Sequence, residues 1–470
     1  MSPKMPKIRQ VFIGNIVSSS PDRTLSINEK SVLGVDADGI IRHFEGEETD
    51  ASKALLESAQ TDWSLMVHRI SEEKDGQGHL MGFLLPGFVD THIHAPQLLN
   101  VGTALDKPLM EWLEHYTFKS ESRIDADPEG LGARVYKKLV ERMIEAGTTT
   151  ASVYGTLTVE ANLVLARAFQ DAGIRAHIGK VAMDLNGHES YIETTAEALS
   201  RTSEFITAME ALTAPLEPHR RLVEPVITPR FVPTCSKELL VGLAEIAKTT
   251  GLRIQSHMSE AADQVEWSKS MWDGQPDHAV FDSLNLLTSK TLMAHCTHLS
   301  APTLSLLATR GVSIAHCPLS NIYFSPEQSF PLVQALDAGV QVGLGSDVSG
   351  GYRIGIDDGM RSAVGVSRIR SGVTPIGDEK KERAVGWKES LYLATLGGAK
   401  AMGMDAKCGS FEVGKAFDAQ LIRMGSKGSK IDLFDEEMPV EEVLEKWWCL
   451  GTEVDRVGVW VQGVTVRMVE

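Results

Sequence analysis

Residues 86–97 read PGFVDTHIHAPQ, and the apolar run that leads into them, Phe83, Leu84, Leu85, Phe88 and Val89, ends in Asp90, Thr91, His92, Ile93 and His94. A short apolar run of this kind has the character of a buried strand. On a strand successive side chains alternate faces, so His92 and His94 project to one side and Ile93 to the other. Two readings are open at this point. The pair is either two packed or surface histidines, or half of a transition-metal site, and the rest of the chain decides.

Working outward, the run 83–90 is the first of eight candidate strands, followed by 148–154, 174–183, 223–229, 252–257, 290–295, 312–317 and 340–346. Between them lie stretches of helical period at 130–146, 159–172, 193–210, 236–249, 301–309 and 329–338. Strand and helix alternating in this way predict an α/β fold, a (β/α)8 TIM-like barrel over 83–409. The ends of the chain break the pattern. Residues 1–82, with Val11, Phe12, Ile13, Ile16 and Val17 and then SVLGVDADGIIRHF, read as short antiparallel strands with turns between them. Residues 410–470, with FDAQLIRM and RVGVWVQGVTVRMV, read the same way. Two strand sets flanking one barrel most simply pair into a single small β-sandwich-like domain. The polar run GDEKKER, 377–383, reads as a solvated loop.

Composition narrows the function. A formal charge of −17 over 470 residues repels a phosphate backbone, and no basic stripe with interleaved aromatics counters it, so nucleic acid is not an expected partner. No stretch approaches the ~20 apolar residues of a membrane span, and the N-terminus lacks the apolar core of a signal peptide, so the expected location is cytoplasmic. The five cysteines, Cys235, Cys296, Cys317, Cys408 and Cys449, form no CxxC pair. That argues against a disulfide framework, a thiolate zinc cluster and the cysteine-paired zinc deaminases of nucleic-acid bases.

His257 closes the strand RIQSH, His295 closes TLMAH, and Asp347 follows QVGLGS. The C-terminal ends of barrel strands converge on one face, where such folds build their chemistry. His92, His94, His257, His295 and Asp347 are thereby brought to one centre in spite of their spread along the chain. Neutral imidazoles and a carboxylate suit a divalent transition ion such as zinc, and an open position for water makes such a site catalytic. Water on zinc has its pKa lowered to about 7, so hydrolysis is the expected chemistry. Asp347 can serve as weak ligand and as base. Glu260, three residues beyond His257, is placed as a general acid or base, against the plainer reading of a helix N-terminal carboxylate. The other histidines read as packing or surface residues, except His316, which is placed to line the pocket or support its ligands.

Taken together, PGFVDTHIHAPQ, ITPRF (227–231), QSHMSE, MAHCTHLS, SIAHCPLSN, GLGSDVSGGY, ATLGGAKAMG and GSFEVGKAFDAQLI resemble the guanine deaminase family of the amidohydrolase superfamily. The resemblance runs in order from about residue 8 to about residue 423. It implies one zinc ion per subunit held by His92, His94, His257 and Asp347, with His295 beside the activated water. It implies that Glu260 carries the proton between water, the ring nitrogen N3 and the leaving ammonia. Gln97 and Arg230 would read the purine edge, with Phe231 against the ring, and guanine's carbonyl and ring nitrogens are apt partners for such donors. The family also implies a homodimer. Where the family commonly continues with small residues after Ser320 and Asn321, this chain reads IYFSPEQSFP, which alters a loop near the pocket and bears on substrate preference. Another heterocycle hydrolase of the superfamily, acting on a triazine, a pterin or 8-oxoguanine, is the alternative that HAPQ and ITPRF oppose. A non-catalytic scaffold is opposed by the complete ligand set.

Overall fold

A computed structural model describes residues 7–74, 78–373, 383–425, 427–434 and 438–469. The polar run at 377–383 falls outside these, apart from Arg383. Among the described residues the predicted barrel is present. Its first four strands, Phe88–His94, Thr148–Tyr154, Arg175–Gly179 and Val223–Pro225, pair in parallel. The third and fourth continue as Val181–Ala182 beside Thr228–Pro229, and Ile227 bridges to Ile254. Ile254–Met258, Thr291–His295, Ser313–His316 and Gln341–Leu344 complete the series. The ring closes where Asp347 N donates to His92 O at 2.8 Å and His94 N to Val348 O at 3.2 Å.

The first strand differs from its expected bounds. The stretch 83–90 is two strands: Gly82–Pro86 runs antiparallel to Ala419–Arg423, and only Phe88–His94 enters the barrel. The break falls at Gly87, where the backbone changes partners within one residue, Gly87 N donating to Asp418 O and Phe88 N to Gly147 O. A Cβ at Gly87 would lie 2.0 Å from Thr149 Oγ1, so the switch requires glycine.

The two ends of the chain share one sheet. Its order is Val464–Met468, Arg456–Val461, Ala419–Arg423, Gly82–Pro86, Ile8–Ser19, Leu25–Asp36 and Ile41–Gly46, with Met66–Arg69 added beside Ile8–Ser19. Trp460 and Phe12 stand three strands apart in that order, roughly 14 Å in a flat sheet at ~4.8 Å per step. Their rings are nevertheless 5.1 Å apart, and Phe417 joins them at 4.4 Å from Phe12. The sheet is therefore rolled over its own apolar face, in the sandwich-like manner expected. The C-terminal segment also holds a helix, Val440–Leu450, that strand-oriented reading passes over. Trp447 from this helix packs its ring 5.5 Å from Phe83 and 6.4 Å from Phe88.

Candidate metal centre and active site

The strand ends deliver their histidines as the alternation requires. His92 and His94 leave the first strand on the same side, and His257 leaves the fifth, so that all three are buried with their ligand nitrogens within 4.8 Å of one another. His94 Nε2 lies 3.0 Å from His257 Nε2. Asp347 Oδ1 lies 3.1 Å from His92 Nε2 and 3.6 Å from His94 Nε2. Two nitrogens on a tetrahedral zinc ion with bonds of ~2.0–2.1 Å would stand ~3.3 Å apart, so the spacing fits a metal ion. Gly345 lets the eighth strand pass this close, since a Cβ there would meet His92 Cβ at 2.7 Å.

The protonation states also fit. Burial, then the neighbouring imidazoles, hold His94 and His257 well below the ordinary histidine pKa, and burial with His295 does the same to His92, leaving neutral imidazoles. His257 Nδ1–H donates to Arg230 O at 2.7 Å, which turns the lone pair of Nε2 into the site. His295 Nδ1–H donates to Asn321 Oδ1 at 2.9 Å, with the same consequence. His92 Nε2 and His295 Nε2 are buried and make no hydrogen bond, which is the state of nitrogens placed for a ligand. Cys317 is buried beside His92, His295 and Asp347, and burial pushes its thiol well above the usual range.

Glu260 Oε1 lies 3.6 Å from His295 Nε2, and burial followed by the Asp347 charge raises its carboxyl well above the ordinary range. The residue stands on a constrained corner. Ser259 just before it has φ +49°, in the left-handed region, and is held there by the buried Asp277, which accepts from Ser259 N at 2.5 Å and from Ser259 Oγ at 2.7 Å. Glu260 N donates to Gln264 Oε1 at 2.7 Å. Asp90 plays a comparable part on the first strand, accepting from His92 N, Ser346 N and Ser346 Oγ.

The histidines open on a small pocket lined by Gln97, Arg230, Phe231, Glu260, His295 and Asp347 among others, with His94 and His257 in its wall. Gln97, Arg230 and Phe231, read from the sequence as substrate-facing, are all in this wall. Four further contributors were not named individually from the sequence. Glu121, fully buried, accepts both terminal nitrogens of Arg230 at 2.6 and 3.0 Å and Gln97 Nε2 at 3.0 Å. Trp112 and Phe324 close the apolar side, their rings 5.1 Å apart. Phe324 comes from the divergent segment after Asn321, which is helical over Pro318–Phe324. Tyr154, at the end of the second strand, packs its ring 4.7–4.8 Å from His92, His94 and His257. His316 does not line the pocket: its ring lies 4.7 Å from Phe330, a packing position.

A closed β/α barrel with histidines and an aspartate gathered at its strand ends defines a class, and the chain belongs to it: the amidohydrolase family matches residues 83–466. Within that class, guanine deaminases match it over its full length. The enzyme of that name from Dictyostelium discoideum is 36% identical over 99% of this chain and 99% of its own length. The human guanine deaminase is 38% identical over 98% of each chain. The crystal structure of guanine deaminase from C. acetobutylicum, with guanine bound in its active site, superposes with a TM-score of 0.83 at 30% identity, covering 97% of this chain and 99% of that one.

Proposed function

We propose that the protein is a zinc-dependent guanine deaminase, hydrolysing guanine to xanthine and ammonia. The observation that carries the reading is that one small pocket joins a cluster of metal-ligating donors on one wall to the Arg230 and Gln97 donors on the other. In this reading His92, His94, His257 and Asp347 hold one zinc ion per subunit. Zinc supplies, when bound there, the Lewis acidity that makes water nucleophilic at neutral pH.

The chain's own groups do the rest. Arg230 and Gln97 hold the six-membered ring by its carbonyl edge, and Phe231 covers its face. Asp347 takes a proton from the attacking water as its oxygen bonds to C2. His295 stabilises the charge that develops beside it. Glu260 gives its proton to N3 and then relays a proton to the amino group, which leaves C2 as ammonia while the carbonyl of xanthine forms. One water is consumed: its oxygen becomes the C2 carbonyl oxygen, one of its protons reaches the amino group through Glu260 and the other, taken by Asp347, restores Glu260, while the exocyclic C2–N bond breaks. Following the family resemblance, we take the working form to be a cytoplasmic homodimer.

The test is metal analysis of the purified enzyme with a guanine assay read by xanthine formation. Glu260→Gln should retain its metal and lose about 10²- to 10⁴-fold in kcat. Wild-type turnover in that variant would remove Glu260 from the mechanism. Hydrolysis of a triazine or 8-oxoguanine in place of guanine would reassign the substrate while leaving the site intact.

A further inference from the structure

We infer that Glu121, which does not itself line the pocket, sets the choice of substrate by obliging Gln97 to present, beside Arg230, hydrogen-bond donors alone to the bound ring. The inference rests on the guanine reading above and names a positioning residue for it.

A carboxylate can only accept. Glu121 Oε1 is 3.0 Å from Gln97 Nε2, so the Gln97 amide must turn its NH2 group toward it. Its oxygen then points the other way, where Ser349 N donates to it at 3.2 Å and Ser349 Oγ stands at 3.4 Å. The acceptor of the amide is thus occupied by protein, and the hydrogen left for the pocket is an N–H. Arg230 has no acceptor at all. Two of its N–H groups go to Glu121, and among the described residues the others make no side-chain hydrogen bond. Phe118 fixes the guanidinium from another side, its ring centroid 5.0 Å from Arg230 Cζ. Phe118 and Glu121 are three residues apart on one helix, Phe118–Ala126, so a single turn supplies both the ring and the carboxylate.

An ion pair serving stability alone would need Arg230 and Glu121. The bond to Gln97 and the Ser349 contact beyond it determine an orientation. A purine with a carbonyl at C6 offers O6 and N7, two acceptors, to this edge. A purine with an amino group at C6 sets donors against donors and leaves buried N–H groups unpaired, which is the kind of mismatch that gives strong discrimination. At position 121 a glutamine, which has both a donor and an acceptor, no longer dictates which end of the Gln97 amide faces it, so that Gln97 can turn over with loss of the Ser349 N bond alone.

The experiment compares kcat/KM for guanine and for 2,6-diaminopurine, which differ at C6, in the wild type, Glu121→Gln and Glu121→Asp. The wild type should favour guanine by on the order of 10²-fold or more. Glu121→Gln should reduce that ratio by about 10-fold, mainly through KM, with metal content unchanged. Glu121→Asp keeps an acceptor-only group and should raise KM for guanine while preserving the ratio. An unchanged ratio in Glu121→Gln, or a lost ratio in Glu121→Asp, overturns the inference. If Glu121→Gln does not fold, competitive inhibition of the wild type decides: hypoxanthine should bind at least about 10-fold more tightly than adenine, and equal binding overturns the donor-only edge. A wild type that binds in this order but does not turn over guanine would reject the proposed reaction and leave the edge standing.

Discussion

The two walls of the pocket are built in different ways. On the metal wall each proposed ligand sits at or just beyond the end of a barrel strand, and backbone bonds such as Asp347 N to His92 O place it. On the reading wall Gln97 stands in the turn Ala95–Asn100 and Arg230 directly follows the fourth strand, its N donating to Ala182 O, but side-chain bonds converging on one carboxylate hold their donor groups together. Closing the barrel is enough to assemble the first wall. The second depends on a residue that neither closes the barrel nor meets the pocket. Damage to the one should remove the chemistry, and damage to the other should blunt the choice of what is processed.

The largest effect expected is on the metal wall. His94→Ala should bring bound metal from one ion per chain to a small fraction and lower guanine turnover by about 10³-fold or more, read by elemental analysis and xanthine formation together. Full metal occupancy in this variant would contradict the assignment of the wall. Arg230→Ala should break the other side: KM for guanine rises by about 10²-fold while the metal stays. It also leaves Glu121 buried without its partner, so urea unfolding should report a loss of about 3–5 kcal/mol. The smallest effect sharpens the contrast, because Asp277 does by side-chain bonds on the metal wall what Glu121 does opposite. Asp277→Ala releases the left-handed Ser259 and should lower kcat by about 10-fold with KM and metal content unchanged, since it moves Glu260 and nothing that binds the ring. A change in KM alone would place Glu260 on the reading wall instead.

The same contrast explains what the sequence made legible. His92, His94, His257, His295 and Asp347 could be gathered before any coordinates because each closes an apolar run, and the barrel topology carries strand ends to one face. Glu260 followed from its distance to His257. Gln97, Arg230 and Phe231 were reached only through family resemblance, because no period governs connecting segments. Glu121 was invisible: it lies in KSESRIDAD, a polar stretch where a buried glutamate looks like a solvated one, and the helix there is preceded by a π-wound turn, Leu113–Thr117, that breaks the usual spacing. The division of 83–90 at Gly87 was hidden because two strands in different sheets both read as apolar. Helix Val440–Leu450 was hidden by the strands on either side of it. Of the two readings of His316, lining the pocket fails, because closeness to a strand end fixes where a residue leaves the barrel but not which way its ring turns.

The terminal sheet has a consequence for how the enzyme is made. Gly82–Pro86, the strand leading directly into the first two metal-ligating histidines, lies between Ile8–Ser19 on one side and Ala419–Arg423 on the other. During synthesis the first neighbour is already outside the ribosome when this strand emerges, but the second follows more than 300 residues later. Until then the strand carries an open edge beside an unfinished barrel, the kind of edge that recruits other chains. A nascent chain stalled before Ala419 should therefore be the species that aggregates, and a strand translated late is the one that seals the edge beside the first two histidines.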